Sequence, residues 1–291
     1  KGTFCVTLPT TLECYLYLLY FFNNRVLFYE YPFETDVLAD AVYGQADMHG
    51  GTCNRGRGFN RPDAESLCLA SPPGSGNIKA GVAVGPDCSL WVADNENDRV
   101  IRFPLDPESG RPAPQADLVL GQAGLTFDRR GALLDQMDRP AAVRVSDDGV
   151  VYVADNLNNR VLVFEPPLTS GMEATRTLGT GLRTPTGLEI DDAGGVWVND
   201  NDNRRALRFF NGTLQREVAV DGTGAWGGIG VASNLNIMTA GWKWQSVQHF
   251  RAPNYRTDTH LLSGGSVEFF NRTGRRGLNG GKGLEVTDSQ L

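Results

Sequence analysis

Histidine is scarce in this chain, with three in 291 residues, and methionine is nearly so, with four. His49, His249 and His260 lie far apart with none of the spacing expected of metal ligands. No G-x-S-x-G is present and no cysteine–histidine pairing is legible, so no serine or cysteine nucleophile is identified. The glycine-rich run GSGNIKAG at 74–81 lacks the G-K-[ST] of a phosphate loop and precedes a strand instead of a helix. Long apolar runs are missing too: YLYLLYFF at 15–22 is the longest, against the roughly 20 residues of a membrane helix. Positive charge is in deficit, with 27 Lys+Arg against 34 Asp+Glu and a net charge of −7, which argues against nucleic acid as the main partner.

Glycine is abundant, with 35 residues beside 15 prolines, as many short strands joined by turns require. A polar turn also recurs, as FFNNRVLFY at 21–29, DNENDRVIRF at 94–103, DNLNNRVLVF at 155–164 and DNDNRRALRF at 200–209. Each run sits inside a segment of about 40 residues, and that period points to a propeller or a related array. Over 182–220 the order is strand GLEI, turn DDAGG, strand VWV, polar turn, strand ALRFF, turn Asn-Gly, strand TLQREVAV. Alternation with Asn-Gly and Gly-Gly turns marks antiparallel hairpins, and four such strands make a blade.

The same order reads through 139–179 and 80–122. Near the start it is irregular, because TLEC and YLYLLY follow each other with no turn between them. After 222 the polar turn is lost, and NIMTAGWKWQSVQHF carries neither the acid nor the arginine. The chain is therefore expected to be all-β, a β-propeller of four-stranded antiparallel blades in one domain over 1–291. Six blades are expected, with five as the alternative. TFCVTLP at 3–9 is read as an outer strand and GLEVTDSQL at 283–291 as an inner one, so the termini share one blade or leave one incomplete. The abrupt opening in a strand is read as that of a mature or trimmed product. Long insertions fall at 46–76 and 123–137, the second with a short helix expected at 131–137.

The strand, Tyr/Trp-Val-Ala-Asp, polar turn and Asn-Arg-Val order at 80–103, 141–164 and 186–210 resembles the NHL repeat. That resemblance implies a six-bladed propeller whose usual work is binding. A minority of related propellers, including lactonases and amidating lyases, are enzymes with a metal in the central channel. The departure is Tyr20, which stands where the other runs have an acid.

Asp94, Asp155 and Asp200 each precede Arg99, Arg160 and Arg205 by five residues. The pairs are read as structural turn clamps, since a catalytic residue has no reason to recur in every blade. Asn158 and Asn159 are assigned to left-handed turn positions. No catalytic residue, no metal ligand and no cofactor is assigned, a calcium or zinc ion in the channel being unindicated.

Candidate binding residues are Arg55, Arg57, Phe59 and Arg61 in the first insertion, and Trp226, Trp242 and Trp244 in the degenerate blade, whose rings suit a sugar or a protein anchor. The cluster Arg272, Arg275, Arg276 and Lys282 is a weaker basic candidate. A Cys53–Cys68 bridge would close a 15-residue span, worth about 3 kcal/mol by loop entropy, and implies export. The alternative is five free thiols in the cytoplasm. Asn211-Gly-Thr213 and Asn271-Arg-Thr273 fit the glycosylation sequon but are read as turn residues. The functional expectation is a non-enzymatic scaffold at the cell surface or outside the cell, with a protein or glycan partner, alone or as a subunit of a larger assembly. The alternative is a metal-dependent propeller hydrolase or lyase.

Overall fold

In the computed structural model, the backbone is described for residues 2–8, 11–30, 38–70, 80–220, 228–241, 246–253 and 256–261. The described residues form five four-stranded antiparallel sheets, and no α-helix occurs among them. The fold class is the expected one, all-β with four-stranded propeller blades. The segments 266–274 and 283–291, on which a sixth blade depends, lie outside the described residues. The chain divides into two compact units, Gly2–Thr177 and Leu178–Leu291.

The first unit holds three blades. Blade 1 is β1 (Gly2–Leu8), β2 (Thr11–Tyr20), β3 (Arg25–Tyr29) and β4 (Ala41–Tyr43). Blade 2 is β5 (Val82–Val84), β6 (Leu90–Asp94), β7 (Arg99–Phe103) and β10 (Leu118–Leu120), with the small hairpin β8 (Leu105–Asp106) and β9 (Arg111–Pro112) between its last two strands. Blade 3 is β11 (Pro140–Val145), β12 (Val151–Asp155), β13 (Arg160–Phe164) and β14 (Arg176–Leu178). In the second unit, blade 4 is β15 (Pro185–Ile190), β16 (Val196–Asp200), β17 (Arg205–Phe210) and β18 (Thr213–Ala219). Blade 5 is β19 (Ile229–Val231), β20 (Ile237–Gly241), β21 (Ser246–Arg251) and β22 (Arg256–Leu261).

Two expectations about the chain start are corrected. TLEC and YLYLLY are one ten-residue strand, which is why no turn separates them. The segment at 3–9 is not an outer strand: β1 pairs with β2, Gly2 opposite Tyr17 through Leu8 opposite Thr11, and takes the first place in blade 1. Blade 5 shows that the four-strand meander outlives its signature turn, with Gly241 and Ser246 opposite each other where blade 4 has Asp200 opposite Arg205.

The cores lie between blades. Apolar side chains from blades 1 and 2, among them Phe28, Val26, Val92, Ile101 and Phe103, bury together with Leu67 and Leu69. The first insertion therefore contributes to a core, which its composition does not suggest. Blades 2 and 3 share a second cluster with Trp91, Val143, Leu162 and Met137. In blades 4 and 5, Trp197, Ile229, Ile237 and Phe250 form a third. No helix forms at 131–137, where the chain runs through turns tied by the Gln136 N–H to the Leu133 carbonyl.

A meander of four strands puts the hairpin between its second and third strands at the same end as the linker arriving from the preceding blade. In the first unit that end collects the turns at 20–25, 94–99 and 155–160 and both insertions. The opposite end carries the remaining hairpins.

Candidate binding face at the linker ends of the blades

The repeated Asp and Arg close the central hairpin of blades 2, 3 and 4 as its last opposed pair: Asp94 with Arg99, Asp155 with Arg160, Asp200 with Arg205. In every case one carboxylate oxygen accepts from the arginine Nε, at 2.8, 2.7 and 2.7 Å. The same oxygen accepts from a turn asparagine, Asn97, Asn158 or Asn203. The other oxygen reaches out of the blade and accepts the backbone N–H of the incoming linker, from Cys68 at 2.7 Å, Asp138 at 2.8 Å and Arg183 at 2.7 Å. The carbonyls of those three linker residues accept from the backbone N–H of Glu96, Leu157 and Asp202. One linker residue is thus held at both its donor and its acceptor.

Sequence reading assigned these acids to turns. The structure adds that they fasten the connection between blades. The guanidiniums extend the grip: Arg99 donates to the carbonyls of Asp63, Ser66 and Leu125, and Arg160 to those of Ala132, Leu133 and Gln136. Both carboxylate oxygens are engaged in each clamp. Burial raises the Asp94 and Asp155 carboxyls above the usual range, against the pull of Arg99 and Arg160.

The residue before each arginine is left-handed, with φ of 47° at Asn24, 50° at Asp98, 57° at Asn159 and 54° at Arg204. Asn159 fits the expectation. Asn158 does not: it is absent from the left-handed positions and works through its side chain, which donates to Asp155 and to the Gly131 carbonyl.

Blade 1, with Tyr20 in place of the acid, is held in another way. Arg25 donates to the Met48 and Gly50 carbonyls at 2.6 and 2.9 Å and lies over the Tyr20 ring. The Asn24 side-chain oxygen accepts the N–H of Leu69 and Ala70, in the linker that leaves blade 1 instead of one that enters it. Two glutamines that sequence reading noted only as shared endings have the same task. Gln45 donates to the Asn24 and Thr52 carbonyls, and Gln122 to those of Asp98 and Arg129. Each follows a left-handed glycine, Gly44 or Gly121, where a Cβ would strike Leu67 or Met137. The paired Gly-Gln at two strand ends was the available signal.

Cys53 and Cys68 form a disulfide, with their Cα atoms 4.5 Å apart. Cys68 is also the residue gripped by Asp94. The loop is seated by Asn54, buried and left-handed at φ 50°, whose side-chain amide exchanges hydrogen bonds with that of Asn97 at 2.9 and 2.8 Å.

The arginine cluster of this loop is largely engaged within the loop. Arg55 pairs with Glu65, and Arg57 with Asp63 at 2.6 Å. Arg61 and Phe59 are exposed. Trp226, Trp242 and Trp244 lie outside the described residues, as do Arg272, Arg275, Arg276 and Lys282 and the side chains of His249 and His260. His49 is exposed in the first insertion.

Sequence reading missed the other apolar side chains at this end: Phe22 at 73% exposure, Phe127 at 54% and Leu133 at 65%, together with Leu134 and Leu157. They sit in turns and insertions, where no periodicity marks them. Exposed beside them in the same insertions are Arg57, Arg61, Arg129 and Arg130.

A family model for the NHL repeat matches residues 137–164, from the linker residue beside the gripped Asp138 to the end of β13. Residues 137–164 carry an NHL repeat, and the described sheets are propeller blades. Among solved structures the propeller is similar to a streptogramin B lyase, with a TM-score of 0.54 and 12% identity over 90% of this chain and 69% of that one. It is also similar to virginiamycin B lyase from Staphylococcus aureus, at 0.51 and 12% over 90% and 85%. A catalytically inactive variant of that lyase with quinupristin gives 0.53 and 11% over the same shares. At such identities the likeness is one of fold. No curated protein matches the chain in sequence.

Chemically, the linker end of the first unit of this propeller offers apolar side chains and guanidiniums on a well-fastened frame. Among the described residues no group of three or more His, Cys, Asp or Glu is placed to hold a metal ion. No helix among them is long and apolar enough to cross a membrane.

Proposed function

We propose that this chain is an exported binding propeller, a non-enzymatic platform whose linker ends in the first unit dock a protein partner. The observation that carries the reading is the company kept by Phe22, Phe59, Phe127 and Leu133, exposed in turns and insertions at one end of three successive blades. Large exposed apolar side chains gathered at one end of a fold are characteristic of interaction sites. Turns fastened by clamps and a disulfide also lose little freedom on binding, which favours affinity.

The exposed Arg61 and Arg129 favour a partner segment that mixes acidic and apolar side chains. Export is supported by the Cys53–Cys68 bridge, since disulfides persist in oxidising compartments. Cross-linking and mass spectrometry on the chain in its native setting test the reading. Links to a partner should concentrate in 46–61 and 121–136 and vanish in a Phe127→Asp, Leu133→Asp variant. Links spread evenly over both ends of the blades would refute it.

A second reading, a metal-dependent lyase, is favoured by the fold likeness to streptogramin B lyase. Elemental analysis separates the two. A stoichiometric calcium or zinc ion whose chelation abolishes turnover would support the lyase.

A further inference from the structure

The hairpin joining β17 to β18 turns on Asn211 and Gly212, both left-handed, with φ of 48° and 76°. Two-residue turns of this hand favour Asn-Gly, so turn chemistry accounts for these two residues. It does not account for their neighbours. Thr213 completes an Asn-Gly-Thr sequon, and Phe210 stands directly opposite Thr213 in the register, so the two side chains rise from the same face beside the acceptor.

Asn211, Gly212 and Thr213 are exposed, and no hydrogen bond among the described residues engages the Asn211 amide. Phe210 keeps 38% of its surface in water. Its position is fixed from below. The Arg208 guanidinium lies 5.7 Å from the ring centroid and is itself held by Asp191, at 2.6 and 3.0 Å.

From this geometry we infer that Asn211 is an N-glycan acceptor, and that Phe210 and Thr213 form a platform on which the first N-acetylhexosamine packs. A pyranose presents an apolar C–H face that an aromatic ring covers well, while its polar edge stays wet. The transfer needs a lipid-diphosphate-linked oligosaccharide as co-reactant. The Asn211 amide nitrogen bonds to the anomeric carbon and loses one proton, the carbon–oxygen bond to the diphosphate breaks, and the lipid diphosphate leaves with that electron pair. Bulky surface modification of this kind suits a hairpin tip at the end of blade 4 opposite the Asp200–Arg205 clamp. The inference rests on the exported reading above.

The test directs the full chain through the secretory pathway of cultured animal cells behind a cleavable leader. Peptide N-glycosidase should then lower the intact mass by one oligosaccharide and convert residue 211 to aspartate. Asn211→Gln and Thr213→Ala should each abolish that change, and Asn271→Gln should leave it. Phe210→Ala should lower occupancy several-fold, and removing the glycan should lower the melting temperature of the wild type more than that of Phe210→Ala. A secreted protein with the Cys53–Cys68 bridge formed and Asn211 unmodified would overturn the site alone. Free thiols at 53 and 68 would overturn the exported reading instead. Equal occupancy and equal melting shifts in Phe210→Ala would overturn the platform.

Discussion

Blades 2 and 4 carry the same clamp in different settings. Arg99 is wholly buried, closed over by carbonyls from two insertions, whereas Arg205 beside its six-residue linker keeps 24% of its side chain exposed and pairs a second time with Glu217. The motif is one and its energetics are two. Long linkers turn a surface ion pair into an interior one, in which each charge depends on its partner.

Removing the acid separates the two settings most. Asp94→Ala leaves Arg99 buried without its counter-charge and should cost about 3–5 kcal/mol. Asp200→Ala leaves Arg205 with water and Glu217 and should cost less, about 1.5–3 kcal/mol, the range of a hydrogen bond to a charged group. Urea denaturation of both variants measures the gap. Equal losses would mean that linker length does not set the worth of the clamp.

The residue ahead of the arginine gives a second contrast. In blade 2 it is Asp98, buried beside Arg130, Arg139 and Asp138, and burial pushes its carboxyl up to about 7 despite the Arg139 N–H and the Arg130 guanidinium. The folded state thus holds this proton more tightly than the unfolded chain does. Its contribution to stability is fully present below the ordinary carboxylate range and is lost as pH rises through about 7. Asp98→Asn should flatten the decline in melting temperature between about pH 4 and 7. An unchanged slope would place the proton elsewhere.

In blade 4 the same left-handed position holds Arg204, at φ 54°. Glycine occupies that region without steric cost, so Arg204→Gly should leave the fold intact and shift stability upward by no more than about 1 kcal/mol. A clear loss of stability would show that the Arg204 side chain contributes to the fold.

Much of this fold is written in local pattern. Strands β11 to β13 and β15 to β18 fall where alternation and Asn-Gly punctuation put them, because hairpin signals are local and each strand pairs with its neighbour in sequence. Blade 1 was harder. β2 is apolar on both faces, so period-two alternation gives no boundary at residue 14, and only pairing with β1 places the strand. At the candidate face, the carboxylates were legible as clamps, but their outer oxygens act on backbone N–H groups, which carry no residue identity. The same holds for Gln45 and Gln122, whose partners are carbonyls. Exposed apolar residues in insertions were illegible for the opposite reason: pattern reading finds what is buried, and Phe127 and Leu133 are not.

Because each carboxylate grips a peptide unit, the side chain at the gripped position is free to vary, and it does: cysteine at 68, aspartate at 138, arginine at 183. The clamp works as a socket indifferent to the plug. Upstream of it a linker can be lengthened at an entropic cost that grows only with the logarithm of its length, and the chain still enters the next blade at a fixed point. Such a scaffold can vary the exposed tips of its insertions, at 59–60 and 126–127, while the carbonyls of Met48, Gly50, Leu125, Ala132 and Leu133 stay in the grip of its arginines.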